Sequence, residues 1–229
     1  MKISNIHNFV HDNISEYLGF DIDDLLYGTD AKVFGGAVRD SIAKLKNNNN
    51  DVILNEITGM NFNINDVDII GLGNSIRKVE NKLLDMGFNI LKPCLDTGLI
   101  YVECNKIIHE PITLVKNNIK IQLITPTVGY NNAELPEKIL LNIVNNVDIR
   151  CCGVYYQNGV VYETIQHAIC DCFYLNIYKN ITSEMVTSRY HIRINNLMCR
   201  GWKEEIDPNT IKENIRNFNL AYILDEEIN

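Results

Sequence analysis

Residues 32–40 read KVFGGAVRD, and no other stretch restricts the fold as much. KVF reads as a short strand and AVRDSIAKL as a helix. Gly35-Gly36 leaves no room for a loop between them. A chain that passes from strand to helix through two glycines builds a tight β–α unit with uncovered backbone at its turn. Such a turn leaves N–H groups bare for a close anion, and the start of the helix adds favourable potential. Arg39, one turn in, supplies a forked cation on the same side. Asp40 reads as an ion-pair partner that fixes this helix.

The second informative stretch is DVDII, residues 66–70. Side chains two apart on a strand share a face, so Asp66 and Asp68 converge. Converging carboxylates repel unless a cation neutralises them. Hard divalent ions such as Mg²⁺ or Mn²⁺ take oxygen ligands and keep places for water and phosphate. The flanking Val67, Ile69 and Ile70 imply burial of the opposite face. A phosphate cradle followed by a paired-carboxylate strand is the arrangement of metal-assisted phosphoryl transfer.

The rest of the pattern is mixed. ISNIHNFVHDNISEYLGF predicts an N-terminal helix within residues 1–20, and SIRKVENKLLDMGF predicts another helix. KNNNNDVILNEITGMNF is Asn-rich and reads as a loop, with weak pairing potential in VILNEI. NILKP and GLIYVE are candidate strands. ITLVKNNIKIQLIT predicts a hairpin around Asn117-Asn118, and ELPEKILLNIV a helix. DIRCCGVYYQNGVVYE predicts a second hairpin turning at Asn158-Gly159. From Thr164 onward the pattern is helical throughout. The expected organisation is a head over 1–163 and a short helical neck and tail over 164–229, in the α+β class: a small mixed sheet with flanking helices.

Composition narrows the setting. The 229 residues are 46% hydrophobic and 22% charged, with formal net charge −8, so any nucleic-acid-binding surface is local. No apolar run approaches a membrane span and no secretory signal is visible, so no membrane partner is expected. Seven cysteines in that context read as reduced thiols of a cytoplasmic protein. Cys151-Cys152 and the thiols of HAICDC are expected to be core residues, because adjacent strand positions point to opposite faces. Tyr155, Tyr156, Tyr162 and Tyr174 read as half-buried residues more readily than as base-stacking ones. Arg189, Arg193 and Arg200 recur near helical spacing and fit either a solvated face or a phosphate-facing one.

FGGAVRDSI followed by DVDII resembles the nucleotidyltransferase head of the CCA-adding enzyme and poly(A) polymerase family, within the DNA polymerase β superfamily. VDIRCCGVYYQNGVVYE looks like that family's Arg-Asp-Phe-Thr-x-Asn-Ala segment, and SRYHIRINNLMCRGW like its arginine-bearing neck helix. The resemblance implies a polymerase-β-type sheet and a Mg²⁺- or Mn²⁺-dependent transferase. It implies that Gly35, Gly36 and Arg39 bind a nucleoside triphosphate and that Asp66 and Asp68 bind metal and are catalytic. Asp148, catalytic and nucleotide-binding as well, would sit by the ribose or the metals, and Arg189 or Arg193 would reach phosphates or base. The implied acceptor is an RNA 3′ end. Where the family carries a third acidic residue, this chain has Gln122. That departure keeps a non-catalytic nucleotide or RNA binder open, and the lack of room after Trp202 for the family's tRNA-gripping helical body keeps open the same chemistry on a protein or small-molecule hydroxyl.

Overall fold

The computed structural model describes residues 6–48, 62–91, 111–126, 136–145, 147–180, 190–205 and 207–226. Helix α1 (Ile6–Leu18) presents Ile6, Val10, Ile14 and Leu18 to the core, a stripe of every fourth residue. Helix α2 (Ile22–Leu26) follows at once, capped by Asp21, whose side chain accepts from the Asp23 and Asp24 amides. Strand β1 (Lys32–Phe34) then leads through Gly35 into helix α3 (Gly36–Asn48). Strand β2 (Val67–Ile70), helix α4 (Gly73–Asp85) and the short strand β3 (Asn89–Ile90) come next. The predicted hairpin is β4 (Ile112–Lys116) and β5 (Ile119–Ile124), turning at Asn117 with positive φ. Helix α5 spans Pro136–Asn145.

These strands join β6 (Val154–Gln157) and β7 (Val160–Glu163) in a seven-stranded sheet of order β3-β4-β5-β2-β1-β6-β7. Only the β2–β5 pair is parallel. The sheet is therefore mixed, and the α+β expectation holds. One face carries Val33, Val67, Ile69, Leu114, Ile121, Leu123, Val154 and Tyr156 into the main core with α1, α3 and α4. The alternate positions face the other way. There Phe34, Ile70, Ile124 and Tyr155 pack with Leu140 and Val144 of α5. Asp68 and Gln122 lie on that second face, two residues before Ile70 and Ile124.

Two expectations need correction. The segment VDIRCC does not extend the second hairpin. Its backbone is occupied elsewhere: the Arg150 amide donates to the Tyr178 carbonyl at 2.9 Å, and the Asn180 amide to the Asp148 carbonyl at 2.9 Å. Residues Arg150–Cys152 consequently close into a 3₁₀ turn, and the hairpin begins at Val154. Its turn at Asn158-Gly159 is as expected, with positive φ at both. The region after Thr164 is also not wholly helical. Helices α6 (Ala168–Tyr174), α7 (Tyr190–Cys199) and α8 (Pro208–Glu226) are interleaved with a two-stranded parallel pair, β8 (Asn176–Ile177) and β9 (Lys203–Glu204). These strands are two residues long, too short for period-two alternation to register.

The main core runs across residue 164: Ala168, Cys172, Leu175, Ile177, Tyr190, Ile194, Leu197 and Trp202 join Val33, Val38 and Val154 in one cluster. Cys151, Cys152, Cys170 and Cys172 are buried and not disulfide-bonded, in keeping with the expected core thiols. VILNEI and GLIYVE lie outside the described residues. Among the described residues no helix is long and apolar enough to cross a membrane.

Candidate active site

The glycine turn divides its work between two residues. Gly35 takes the left-handed conformation, φ 68°, and both its backbone polar groups are used. Its amide donates to the Val154 carbonyl at 3.1 Å, and its carbonyl accepts from the Arg39 amide at 3.0 Å. The bare amides are accordingly not at Gly35; they belong to the first turn of α3, from Gly36 onward. Gly36 has ordinary φ, and a Cβ there would meet nothing nearer than Arg39 Nη2 at 3.8 Å. The positive φ that the turn demands is supplied by the first glycine, and the second leaves the helix start uncovered by a side chain of its own, beside Arg39.

Arg39 is buried and bound on several sides. Its Nε and Nη2 donate to Asp40 Oδ1 and Oδ2 at 2.8 and 3.0 Å, and its Nη1 to Cys152 Sγ at 3.2 Å. The Trp202 ring lies 5.6 Å from the guanidinium. Arg200 closes the cluster from the end of α7, with Nη2 2.9 Å from Asp40 Oδ2. Asp40 is thus an ion-pair partner, of Arg39 and of Arg200. Arg200 belongs to this buried cluster, not to a solvated basic face. The Cys152 thiol is pulled down by a hydrogen bond with Cys151 and by the charges of Arg39 and Arg193. Burial pushes Cys151 up.

Asp66 lies one residue ahead of β2 and Asp68 within it, so alternation brings both to the second face of the sheet. Asp68 pairs in register with Phe34 on β1 and with Gln122 on β5. Burial and the neighbouring Asp66 charge push its carboxyl up to about 7, while Lys120 and Arg193 pull it down. Lys120 Nζ is 3.3 Å from Asp66 Oδ2. Two carboxylates with an amide side chain beside them form a hard-oxygen donor set, and a carboxyl that titrates near 7 is under-neutralised. That chemistry fits a divalent cation held by Asp66 and Asp68.

Asp148 is 3% exposed. Its Oδ1 accepts from Arg193 Nη1 at 2.6 Å, while its buried Oδ2 has no hydrogen-bond partner among the described residues. Arg193 also points Nη2 toward Cys152 Sγ at 3.9 Å. Through Arg193, the structure joins Asp148, Cys152 and Asp68 in one neighbourhood, with Arg39 on the far side of Cys152. Arg189 lies outside the described residues. Tyr155 and Tyr162 stack on each other, centroids 4.9 Å apart and planes 16° from parallel.

Sequence reasoning missed Lys120, Cys152 and Trp202. For Lys120 a signal existed: it stands two before Gln122 and so shares its face. The group of three ligand-type side chains found among the described residues is a different one, His11, Asp21 and Asp23. Local bonds account for it: Asp21 caps α2 and meets His11, and Asp23 accepts from the Tyr156 hydroxyl at 2.9 Å.

No family model and no curated protein matches the chain. Solved structures do. A tRNA nucleotidyltransferase, complexed with a primer tRNA and an incoming ATP analogue, is 15% identical with a TM-score of 0.42, over 96% of this chain and 55% of that one. A CCA-adding enzyme in an apo form is 14% identical with a TM-score of 0.45, over 95% and 43%. A tRNA-processing enzyme in an apo form is 14% identical with a TM-score of 0.42, over 99% and 52%. The chain spans about half the length of these proteins.

Proposed function

We propose that the chain is a metal-dependent nucleotidyltransferase that moves a nucleoside monophosphate from a nucleoside triphosphate to an RNA 3′-hydroxyl. The observation that carries this reading is the placement of Asp66 and Asp68 together on one face of β2, adjoining the strand whose end opens the glycine turn. In the reaction the acceptor oxygen bonds to the α-phosphorus, the α–β bridging bond breaks, and pyrophosphate leaves. The amides at the start of α3 receive phosphate oxygens above Gly36, which has no side chain of its own and lies beside the Arg39 guanidinium. Arg39, oriented by Asp40, supplies positive potential beside them. Arg193 reaches phosphate or base, and the spare oxygen of Asp148 accepts from a ribose hydroxyl. Asp66 and Asp68 would hold Mg²⁺ or Mn²⁺, which would neutralise charge developing on the phosphates. Residues 1–163 would form the head and 164–229 the neck and tail, in a cytoplasmic protein.

Gln122 beside Asp68 favours a second reading, a nucleotide binder without turnover. One experiment separates them. The protein is incubated with each α-labelled nucleoside triphosphate, Mg²⁺ or Mn²⁺, and RNA and protein fractions of a lysate. Label in RNA that is lost in Asp68→Asn is the expected result. Label in protein alone would move the acceptor. Nucleotide binding with no pyrophosphate release and no label would establish the non-catalytic reading.

A further inference from the structure

Resting on the metal-site reading above, we infer that the site admits one divalent cation per chain and that Lys120 stands in for the charge of a second. The β2–β5 pair sets the geometry. Val67 lies opposite Ile121 and Asp68 opposite Gln122, so one step back along both strands brings Asp66 beside Lys120. The side chains meet there, Nζ 3.3 Å from Oδ2.

The pairing is built into the fold. The Tyr17 hydroxyl, on α1, donates to the Asn65 carbonyl at 2.9 Å and accepts from the Lys120 amide at 3.1 Å. One phenol thereby spaces the residue before Asp66 from the backbone of Lys120. The charges around the site come from each element that packs on it. Asp66, Asp68 and Asp148 are acidic, and the Cys152 thiol also acts against charge on Asp68; Lys120 on β5 and Arg193 on α7 are positive; Gln122 on β5 is neutral. Among the described residues three carboxylates stand there, Asp66 offset by Lys120 and Asp148 by Arg193, which leaves the charge of Asp68. A single dication is compatible with that balance. Two dications would stand a few ångströms apart with excess positive charge, which a phosphate ligand alone would have to offset.

Metal-free protein is titrated with Mn²⁺, and free ion is followed by its electron paramagnetic resonance signal. Sites are counted as those lost in the Asp66→Asn/Asp68→Asn double variant, which removes unrelated surface binding from the count. One specific Mn²⁺ per chain is expected in the wild type. Lys120→Met keeps the apolar stem and removes the charge, so it should still bind one Mn²⁺, about tenfold more tightly. Lys120→Arg should behave as the wild type. Lys120→Met/Gln122→Glu should bind two. Two specific ions in the wild type would overturn the inference and leave the metal site standing. Unchanged affinity in Lys120→Met, or a single ion in Lys120→Met/Gln122→Glu, would overturn the role of Lys120. No specific Mn²⁺ in the wild type or in Lys120→Met would overturn the metal-site reading itself.

Discussion

Asp40 and Asp68 are both carboxylates drawn out of water near the glycine turn, and their surroundings differ in sign. Asp40 sits between Arg39 and Arg200, both within 3.0 Å of its oxygens. Asp68 has Asp66 for its nearest electrostatic influence after burial itself, and rises to about 7. Structural charge clusters close on themselves because an unmatched buried charge costs several kcal/mol. A carboxylate left under-neutralised is tolerated where a ligand completes it. On the proposed function, the contrast separates a residue that holds the fold from one kept ready for chemistry.

The largest effect should come from breaking the closed cluster. Asp40→Asn leaves two guanidiniums facing each other without their counter-charge. It should cost about 3–5 kcal/mol in urea unfolding, and Arg200→Met in the same chain should recover part of that loss. Additive losses would mean that Arg200 and Asp40 are not coupled.

Asp68 should behave in the opposite direction. In the unfolded chain its proton leaves near 3.8, and in the folded chain near 7. Between those values folding takes up a proton, so its contribution to stability falls as pH rises through the window. Metal-free Asp68→Asn should therefore be more stable than the wild type at pH 8, by on the order of 2 kcal/mol, with no difference below pH 4. Denaturant midpoints at the two pH values in the presence of a chelator test this. A less stable mutant at pH 8 would place Asp68 with Asp40 among the structural charges.

The glycine pair offers a smaller comparison. Gly35→Ala puts a side chain at φ 68° and should cost about 1 kcal/mol. Gly36→Ala meets only an ordinary contact with Arg39 at ordinary φ and should change stability by less than about 0.5 kcal/mol. The same Gly36→Ala should weaken triphosphate binding while leaving nucleoside binding unchanged, measured by calorimetric titration. Equal affinities for the triphosphate in mutant and wild type would mean that phosphate does not lie over Gly36.

The local units were legible because each obeys a short-range rule. Four-residue spacing in α1, alternation through β4 and β5, and Asn158-Gly159 at a hairpin turn all follow from neighbouring residues. The pairing of Asp66 with Asp68 was legible for the same reason. Partnerships across long separations were not. Nothing in VDIRCC announces that its backbone bonds to residues 178–180, and nothing in RGW announces that Arg200 and Trp202 reach Asp40 and Arg39. Those contacts depend on where two distant segments dock, which no window of periodicity samples. Gln122 was noted as a departure, but its position beside Asp68 comes from a parallel register, and only the assembled sheet fixes that.

The reach of Arg200 back to Asp40 has a consequence for how the protein is made. At about 5–20 residues per second, a ribosome needs on the order of 10–30 s to travel from one to the other. During that interval the nascent chain holds Arg39 and Asp40 without the second cation and without the indole that covers them. Val33 and Val38 likewise await Leu197 and Trp202. Chaperone occupancy on nascent chains should fall once Trp202 has emerged, and a translational pause set ahead of Arg200 should prolong it.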